Sequence, residues 1–156
     1  MSQTLKSIRI IKDFPKKGIA FYDISTILSS PSKFHLVVNK MAKEVRKINA
    51  DTIVGIDSRG FIFASAVAFK LKKKLVMIRK KGKLPGETYS IKYKLEYGSN
   101  QLEVQKDMIL KKDKVVIIDD LFTSFDEALI VPLVAKISSM ITTLSFFKIM
   151  SFCTSN

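Results

Sequence analysis

Four polar or flexible residues, Asp57-Ser58-Arg59-Gly60, directly follow a short apolar segment of the chain. The backbone amides of such a turn, together with the first amides of a following helix, can bind an anion. Gly60 would allow a ligand or another part of the backbone to approach closely, because glycine has no side chain. An ordinary polar turn between a strand and a helix has the same composition, so both interpretations stay open for the tetrapeptide alone.

Four cations occur within the five residues Arg79-Lys80-Lys81-Gly82-Lys83, again after an apolar run. A charge run is often only a solvated surface. At the end of a buried strand, however, the same cations can gather around a phosphorylated ligand. Gly82 and Gly86 would let this loop open and close.

Two carboxylates, Asp119-Asp120, follow the strongly apolar run Val115–Ile118. They could bind ribose hydroxyls, hold Mg²⁺ or form a phospho-acceptor pocket. Neighbouring residues at a strand end point to opposite faces of the sheet, so the two carboxylates need not share one ligand.

The composition is that of a globular, basic protein. Its 156 residues suit one domain. A hydrophobic fraction of 47% excludes a disordered chain. One cysteine and one histidine exclude a disulfide framework and a multi-histidine metal site. The net charge of +13 favours anionic partners such as nucleic acid, a membrane surface or phosphorylated small molecules, although 23 Lys against 4 Arg is equally well explained by compositional drift.

No part of the sequence is typical of a membrane protein. The N-terminus lacks the apolar core of a signal peptide. The most apolar stretch, 129–150, is interrupted by Pro132, Lys136 and Lys148, so we expect a buried helix followed by a strand rather than a membrane span. The expected location is the cytoplasm.

The elements that would position the polar segments alternate between strand and helix. Buried strands are predicted at Thr52–Ile56, Lys74–Ile78 and Val115–Ile118, and a last strand near Met140 to Phe147. Helices are predicted from Ser32 to about Lys47, from Phe61 to Leu71 and from about Phe125 to Ile137. Alternation within 88–104 predicts antiparallel strands.

This order favours an α/β fold with a parallel sheet. Ligands of such sheets bind beyond the carboxyl ends of the strands. We therefore expect three polar segments to meet at one edge: Asp57–Gly60, Arg79–Gly86 and Asp119–Ser124.

The motifs and their spacing resemble the adenine phosphoribosyltransferases. The matching strings lie between residues 8 and 121: FPKKGIAFYDI from Phe14, GIDSRGF from Gly55, RKKGKLPG from Arg79, LEYG from Leu95 and VVIIDD from Val115. The resemblance implies the type I phosphoribosyltransferase fold, a parallel central sheet flanked by helices, as one domain over 1–156. It also implies a small hood at about 8–30 and a flexible antiparallel loop at about 80–106.

The same resemblance implies a purine-salvage reaction, in which adenine and phosphoribosyl pyrophosphate give AMP and pyrophosphate. Mg²⁺ would arrive bound to the phosphoribosyl substrate, and the protein would be a homodimer. Neither a membrane nor nucleic acid is an expected partner.

The leaving pyrophosphate is assigned to two segments by the resemblance. Ser58, Arg59 and Gly60 match the family's pyrophosphate loop, with Asp57 beside them and Arg59 as a catalytic cation. The further cations expected on the same group are Arg79, Lys80 and Lys83.

Adenine is assigned to the hood and to the flexible loop. Phe21 and Tyr22 match the segment that stacks on the base and contacts its edge through backbone groups. Glu96 matches a catalytic carboxylate near the purine nitrogen that loses its proton. Tyr97 would close over the site and exclude water.

The match to the family breaks after the acidic pair, Asp119 and Asp120, which is assigned to the ribose hydroxyls. The family continues with a Thr- and Gly-rich loop of the form ATGGT around the 5′-phosphate, whereas this chain reads LFTSFDE from Leu121 and has no glycine after Gly98. Thr123 and Ser124 would supply what remains of the cradle, so we expect impaired activity. The family's segment beyond the last strand is also largely absent.

A second function stays open beside the enzyme. A non-catalytic protein of the same fold that binds RNA or a nucleotide would also carry a net charge of +13.

Overall fold

The computed structural model describes residues 8–95, 98–110, 112–119 and 147–150. The elements within these ranges are β1 (Arg9–Lys12), β2 (Ala20–Asp23), α1 (Ser25–Leu28), α2 (Pro31–Ile48), β3 (Thr52–Ile56), α3 (Gly60–Leu71), β4 (Lys74–Lys80), β5 (Thr88–Leu95), β6 (Gly98–Gln105), β7 (Val115–Ile118) and β8 (Phe147–Met150). The helix predicted from Phe125 to Ile137 lies outside the described residues.

A six-stranded sheet in the order β5-β6-β4-β3-β7-β8 forms the centre of the fold. Strands β4, β3, β7 and β8 are parallel to one another, and β6 is antiparallel to both β4 and β5. The central sheet flanked by helices that was expected from the sequence is confirmed, as a mixed sheet. A smaller antiparallel hairpin joins β1 to β2.

All five residues of strand β3 are buried, because the strand lies inside the sheet between β4 and β7. Its parallel register aligns Ile56 with Ile78 of β4 and Gly55 with Ile118 of β7. The carboxyl ends of β3 and β7 therefore lie within one residue of each other, β4 extends two residues further, and the residues that follow all three strands start from one edge of the sheet.

The core fills both faces of the sheet. One face packs against α2 and α3, with Ile53, Phe63 and Val67 fully buried between them. Gly55 permits this close packing, since a Cβ atom there would lie only 2.9 Å from the Ala64 Cβ atom. The opposite face buries Val54 and Ile117 against the β5–β6 arm of the sheet.

Three predicted boundaries are wrong. Strand β4 ends at Lys80 and not at Ile78, because its last two residues pair with β6. Helix α2 begins at Pro31 with Ser30 as its N-cap residue, whereas a start at Ser32 was predicted. Proline favours the first helical position, because its fixed φ suits the helix and its missing N–H would be unpaired there anyway.

The last strand begins at Phe147, where the predicted strand ended. The sequence on both sides of this boundary also contains β-branched and aromatic residues, so the sequence pattern could not show which of them pair with Val115–Ile118.

Within the described ranges, no helix has both the length and the apolar composition needed to cross a membrane.

Asp23, a buried carboxylate at the end of β2, connects the β1–β2 hairpin to the start of α1. It accepts hydrogen bonds from the Ser25 N–H at 2.9 Å and from the Ser25 hydroxyl at 2.5 Å, and it pairs with the Arg9 guanidinium. The hydrogen bonds from Ser25 and Arg9 lower the pKa of Asp23 from 3.8 to about 2.

This lowered pKa predicts acid sensitivity of the fold. A carboxylate with a depressed native pKa stabilises the protein above its unfolded pKa, and that stabilisation is lost as the pH falls from about 4 towards 2. Asp23→Asn should lower the free energy of unfolding at pH 7 and flatten its pH dependence in this interval, as measured by urea denaturation. Asp107→Asn, which removes an exposed carboxylate, is the control. Identical pH profiles for the two variants would contradict the role given to Asp23.

Candidate functional site

Three polar segments meet at the carboxyl ends of these strands, as the sequence predicted. Asp57 follows β3, Arg79 lies near the end of β4 and Asp119 follows β7. The Asp57 N–H donates to the Ile78 carbonyl at 2.9 Å, which ties the first turn to the neighbouring strand. We call Asp57–Gly60, Arg79–Lys83 and Asp119 the strand-end site.

Gly60 brings the start of α3 directly against the end of β7. A Cβ atom at this position would lie 2.8 Å from the Asp119 Oδ1 atom and 2.9 Å from the Ile118 carbonyl oxygen. These distances leave no room for a side chain. Gly60 therefore fixes the separation between the turn after β3 and the carboxylate after β7.

The turn before α3 has backbone donors that the described protein does not use. The N–H groups of Phe61 and Ile62 donate to Ser58 and Arg59 carbonyls at 3.2 Å. By contrast, the N–H groups of Ser58 and Gly60 have no acceptor among the described residues. Unpaired amides at the N-terminus of a twelve-residue helix suit an anion, because the helix dipole also favours negative charge there.

Arg59 connects this turn to the β1–β2 hairpin. Its Nη1 atom donates to the Tyr22 carbonyl at 3.2 Å, and its guanidinium lies 5.0 Å from the centre of the Phe21 ring. Phe14 packs edge-on against the same ring, with the ring centres 5.0 Å apart. The structure thus joins Arg59, expected at the pyrophosphate, to Phe21 and Tyr22, expected at adenine.

Arg79 is held by protein groups on both sides. Its Nε atom lies 3.2 Å from the Asp57 Oδ2 atom, and its Nη1 atom donates to the Lys83 carbonyl at 3.3 Å. The Arg79 guanidinium also lies 5.9 Å from the centre of the Phe61 ring. In this conformation, Arg79 neutralises Asp57 and anchors the loop after β4.

The remaining cations of this loop face solvent. Lys80 and Lys83 are exposed and form no ion pair with any residue in the described ranges. Their positive charge is consequently available to a ligand at the strand ends.

Glu103 of β6 is a site residue that the sequence analysis missed. Its side chain is buried, and its Oε2 atom accepts a hydrogen bond from the Gly82 N–H at 2.9 Å. The Lys81 N–H donates to the Gln101 carbonyl at 3.0 Å, so β6 holds the loop at two successive residues. No sequence signal points to this role, because a carboxylate between Leu102 and Val104 fits the ordinary apolar–polar alternation of a half-buried strand.

Five predicted site residues lie outside the described residues. They are Glu96, Tyr97, Asp120, Thr123 and Ser124. The altered segment LFTSFDE, expected at the 5′-phosphate, also lies outside the described ranges. Within those ranges, no group of three or more His, Cys, Asp or Glu side chains could hold a metal ion.

Comparison with known proteins gives a consistent match. Residues 23–124 match the family model of the phosphoribosyl transferase domain. An adenine phosphoribosyltransferase of Mycoplasma mobile is 48% identical over 153 residues, which covers 97% of this chain and 88% of the relative.

Solved structures agree with this match. The adenine phosphoribosyltransferase of Thermoanaerobacter pseudethanolicus superposes with a TM-score of 0.84 at 34% identity, covering 96% of both chains. The enzyme of Saccharomyces cerevisiae, solved in complex with adenine and an imino-altritol bisphosphate, superposes with a TM-score of 0.81 at 29% identity. That match covers 95% of this chain and 87% of the yeast chain.

The close packing at Gly60 predicts that replacing this glycine by alanine lowers the free energy of unfolding, whereas the same change in most helices raises it. Alanine in place of a helical glycine normally stabilises a helix by about 1 kcal/mol. Gly60→Ala should instead destabilise the protein by about 1–3 kcal/mol, because the new Cβ would displace Asp119 or the end of β7. Urea denaturation measures the change, with Ser65→Ala on the exposed face of α3 as the control. A stabilised Gly60→Ala variant would contradict the close approach.

Proposed function

The chain belongs to the phosphoribosyltransferase family, among the adenine phosphoribosyltransferases of purine salvage, and we propose that its strand-end site binds the pyrophosphate that leaves in this reaction. The reaction joins adenine to the sugar of phosphoribosyl pyrophosphate and gives AMP and pyrophosphate. The observation that carries the proposal is the position of Gly60 against Asp119, because it sets a carboxylate beside amides that have no acceptor among the described residues.

The amides and cations of the site match the charge that develops in the reaction. Displacement at the anomeric carbon passes through a state in which the sugar gains positive charge and the pyrophosphate gains negative charge. Donors that are already oriented stabilise such charge most effectively. We assign Arg59, the Ser58 and Gly60 amides, Lys80 and Lys83 to the pyrophosphate.

Arg79 joins these donors while it stays paired with Asp57. In the structure its Nε atom lies 3.2 Å from Asp57, whose side chain is only 13% exposed. Removing Arg79 would leave this mostly buried carboxylate without a partner, which is costly. The guanidinium has five N–H donors, so we assign those that Asp57 does not use to the pyrophosphate.

Adenine binding is assigned to the hairpin. The Phe21 ring offers a face for stacking, and the Tyr22 carbonyl can accept a second hydrogen bond because a carbonyl oxygen has two lone pairs. The amino group of adenine would then share that oxygen with Arg59. Glu96 would receive the proton that the base loses, and Tyr97 would exclude water from the sugar donor.

The sugar is assigned to the acidic pair. Asp119 and Asp120 would hold the ribose hydroxyls and steady the positive charge on the ring. Mg²⁺ enters as part of the phosphoribosyl pyrophosphate complex, that is, as substrate. Thr123 and Ser124 would hold the 5′-phosphate weakly, so we propose that affinity for the donor is reduced.

We also propose that the protein is a homodimer. Ile62 and Phe69 of α3 and Leu75 and Met77 of β4 are exposed, and Phe69 is 89% exposed. The register aligns Leu75 with Ile53 and Met77 with Gly55, which places them on the face of the sheet that α3 covers. An apolar surface of this kind favours association. The cytoplasmic location stays a prediction.

Replacing Arg59 tests the site through the reaction itself. Conversion of labelled adenine to AMP should fall about 100-fold in kcat/KM for Arg59→Ala, the usual cost of one charge-stabilising donor. Arg59→Lys should recover only part, since lysine keeps the charge but not the planar fork. Lys33→Ala, outside the site, is the control. Wild-type rates for Arg59→Ala would refute the assignment, and absent AMP formation with salt-dependent RNA binding would favour the non-catalytic alternative.

Rebuilding the phosphate loop tests the proposed impairment. An ATGGT-type loop after Asp120 should lower the KM for phosphoribosyl pyrophosphate by at least tenfold, because each charge-assisted hydrogen bond contributes about 1.5–3 kcal/mol. The KM for adenine should stay nearly constant. A loop of the form ATAAT is the matched control without glycine. An unchanged donor KM with the rebuilt loop would show that the altered segment does not limit binding.

A further inference from the structure

A cationic cleft lies at the edge of the sheet opposite the strand-end site. It forms where α2 and α3 end, just before β3 and β4 begin, and it has a volume of about 240 Å³. Its apolar floor is made by Val45, Ala50 and Leu71. Its polar lining consists of Asn49 and the cations Arg46, Lys70, Lys72 and Lys73.

Among the described residues, no carboxylate lines this cleft. The acidic side chains nearby are bonded to groups outside it: Glu44 to Lys47, Asp51 to the Lys114 N–H and Asp113 to Lys74. Within the described part of the chain, none of the four cations of the cleft forms an ion pair. Their charges are consequently not neutralised by neighbouring side chains.

The cations are not needed to satisfy the ends of the two helices. The Arg46 carbonyl accepts the Asn49 N–H at 3.1 Å, and the carbonyls of Ala68 and Phe69 accept the N–H groups of Lys73 and Lys72 at 3.0 and 3.3 Å. Asn49 and Lys72 adopt the left-handed backbone conformation that such C-caps use. The side-chain ammonium groups are therefore left for another partner.

The electrostatic balance of the cleft stays positive after the helix dipoles are counted. Each helix C-terminus contributes the equivalent of about −0.5 charge, so two contribute about −1. Against four cations, the cleft keeps an excess of about +3. An anion with several negative charges fits this excess better than a single carboxylate.

We propose that the cleft is a second anion site, which binds a compact oligophosphate group. Its volume of about 240 Å³ is below the ~300–1,000 Å³ of pockets that enclose whole drug-sized ligands, so it suits a phosphate chain without a nucleoside. The length of β3 separates it from the strand-end site by about 17 Å, at about 3.3 Å per residue. The two sites are therefore independent.

Inorganic tripolyphosphate is the probe that tests this site. In an amide NMR titration of the full chain, the resonances of Asn49 and of 70–73 should shift with a saturable dependence that weakens as salt is added. ATP should shift them with similar affinity, because only its phosphate chain fits. Absence of these shifts at millimolar tripolyphosphate would overturn the proposal, and ATP binding more than tenfold tighter would overturn the assignment to a bare oligophosphate.

A charge-removing variant shows whether the cleft itself binds the probe. Lys70→Gln combined with Lys73→Gln should weaken the effect at Asn49 at least tenfold and leave the shifts at Ser58 and Gly60 unchanged. The combination Lys33→Gln with Lys92→Gln removes the same charge outside the cleft and is the matched control. An equal loss of affinity in the control would show that only the net charge acts, which would also overturn the proposal.

Discussion

The site depends on the close packing of Gly60 against Asp119, which leaves no room for a side chain at position 60. Strand β3 pairs in parallel with both neighbours, and its register delivers three polar segments to one edge of the sheet. Only a glycine at the start of α3 allows this close approach, because a Cβ atom at this position would lie 2.8 Å from the Asp119 Oδ1 atom. The amides of the turn and the Asp119 carboxylate, which we assign to the pyrophosphate and to the ribose, are thereby held at a fixed separation by buried strands.

The cations around this edge differ in how firmly they are held. Arg59 and Arg79 are oriented by protein acceptors, the Tyr22 carbonyl and the Asp57 carboxylate, whereas Lys80 and Lys83 are solvated. Oriented donors stabilise a developing charge without reorganising during the reaction, and mobile donors help to capture the substrate. The contact of Arg59 with the hairpin also connects the segment proposed for the base to the segment proposed for the pyrophosphate.

The sequence predicted the centre of the fold better than the contacts within the site. Continuous β-branched runs defined Thr52–Ile56 and Val115–Ile118 correctly, because strands buried on both faces must be apolar throughout. The strand-end rule then placed the polar segments together. The partner of Arg59 could not be predicted, since Tyr22 lies 37 residues away and offers a backbone carbonyl. Glu103 was missed because its partner is the N–H of Gly82, which has no side-chain signature.

Thermal unfolding in the presence of phosphoribosyl pyrophosphate tests whether the strand-end site binds a sugar that carries pyrophosphate. A ligand that binds only the native state must raise the midpoint of unfolding. We expect a rise that needs Mg²⁺ and that disappears when Lys80 and Lys83 are both replaced by Gln. An unchanged midpoint at millimolar donor with Mg²⁺, or an equal rise in the double variant, would contradict this expectation.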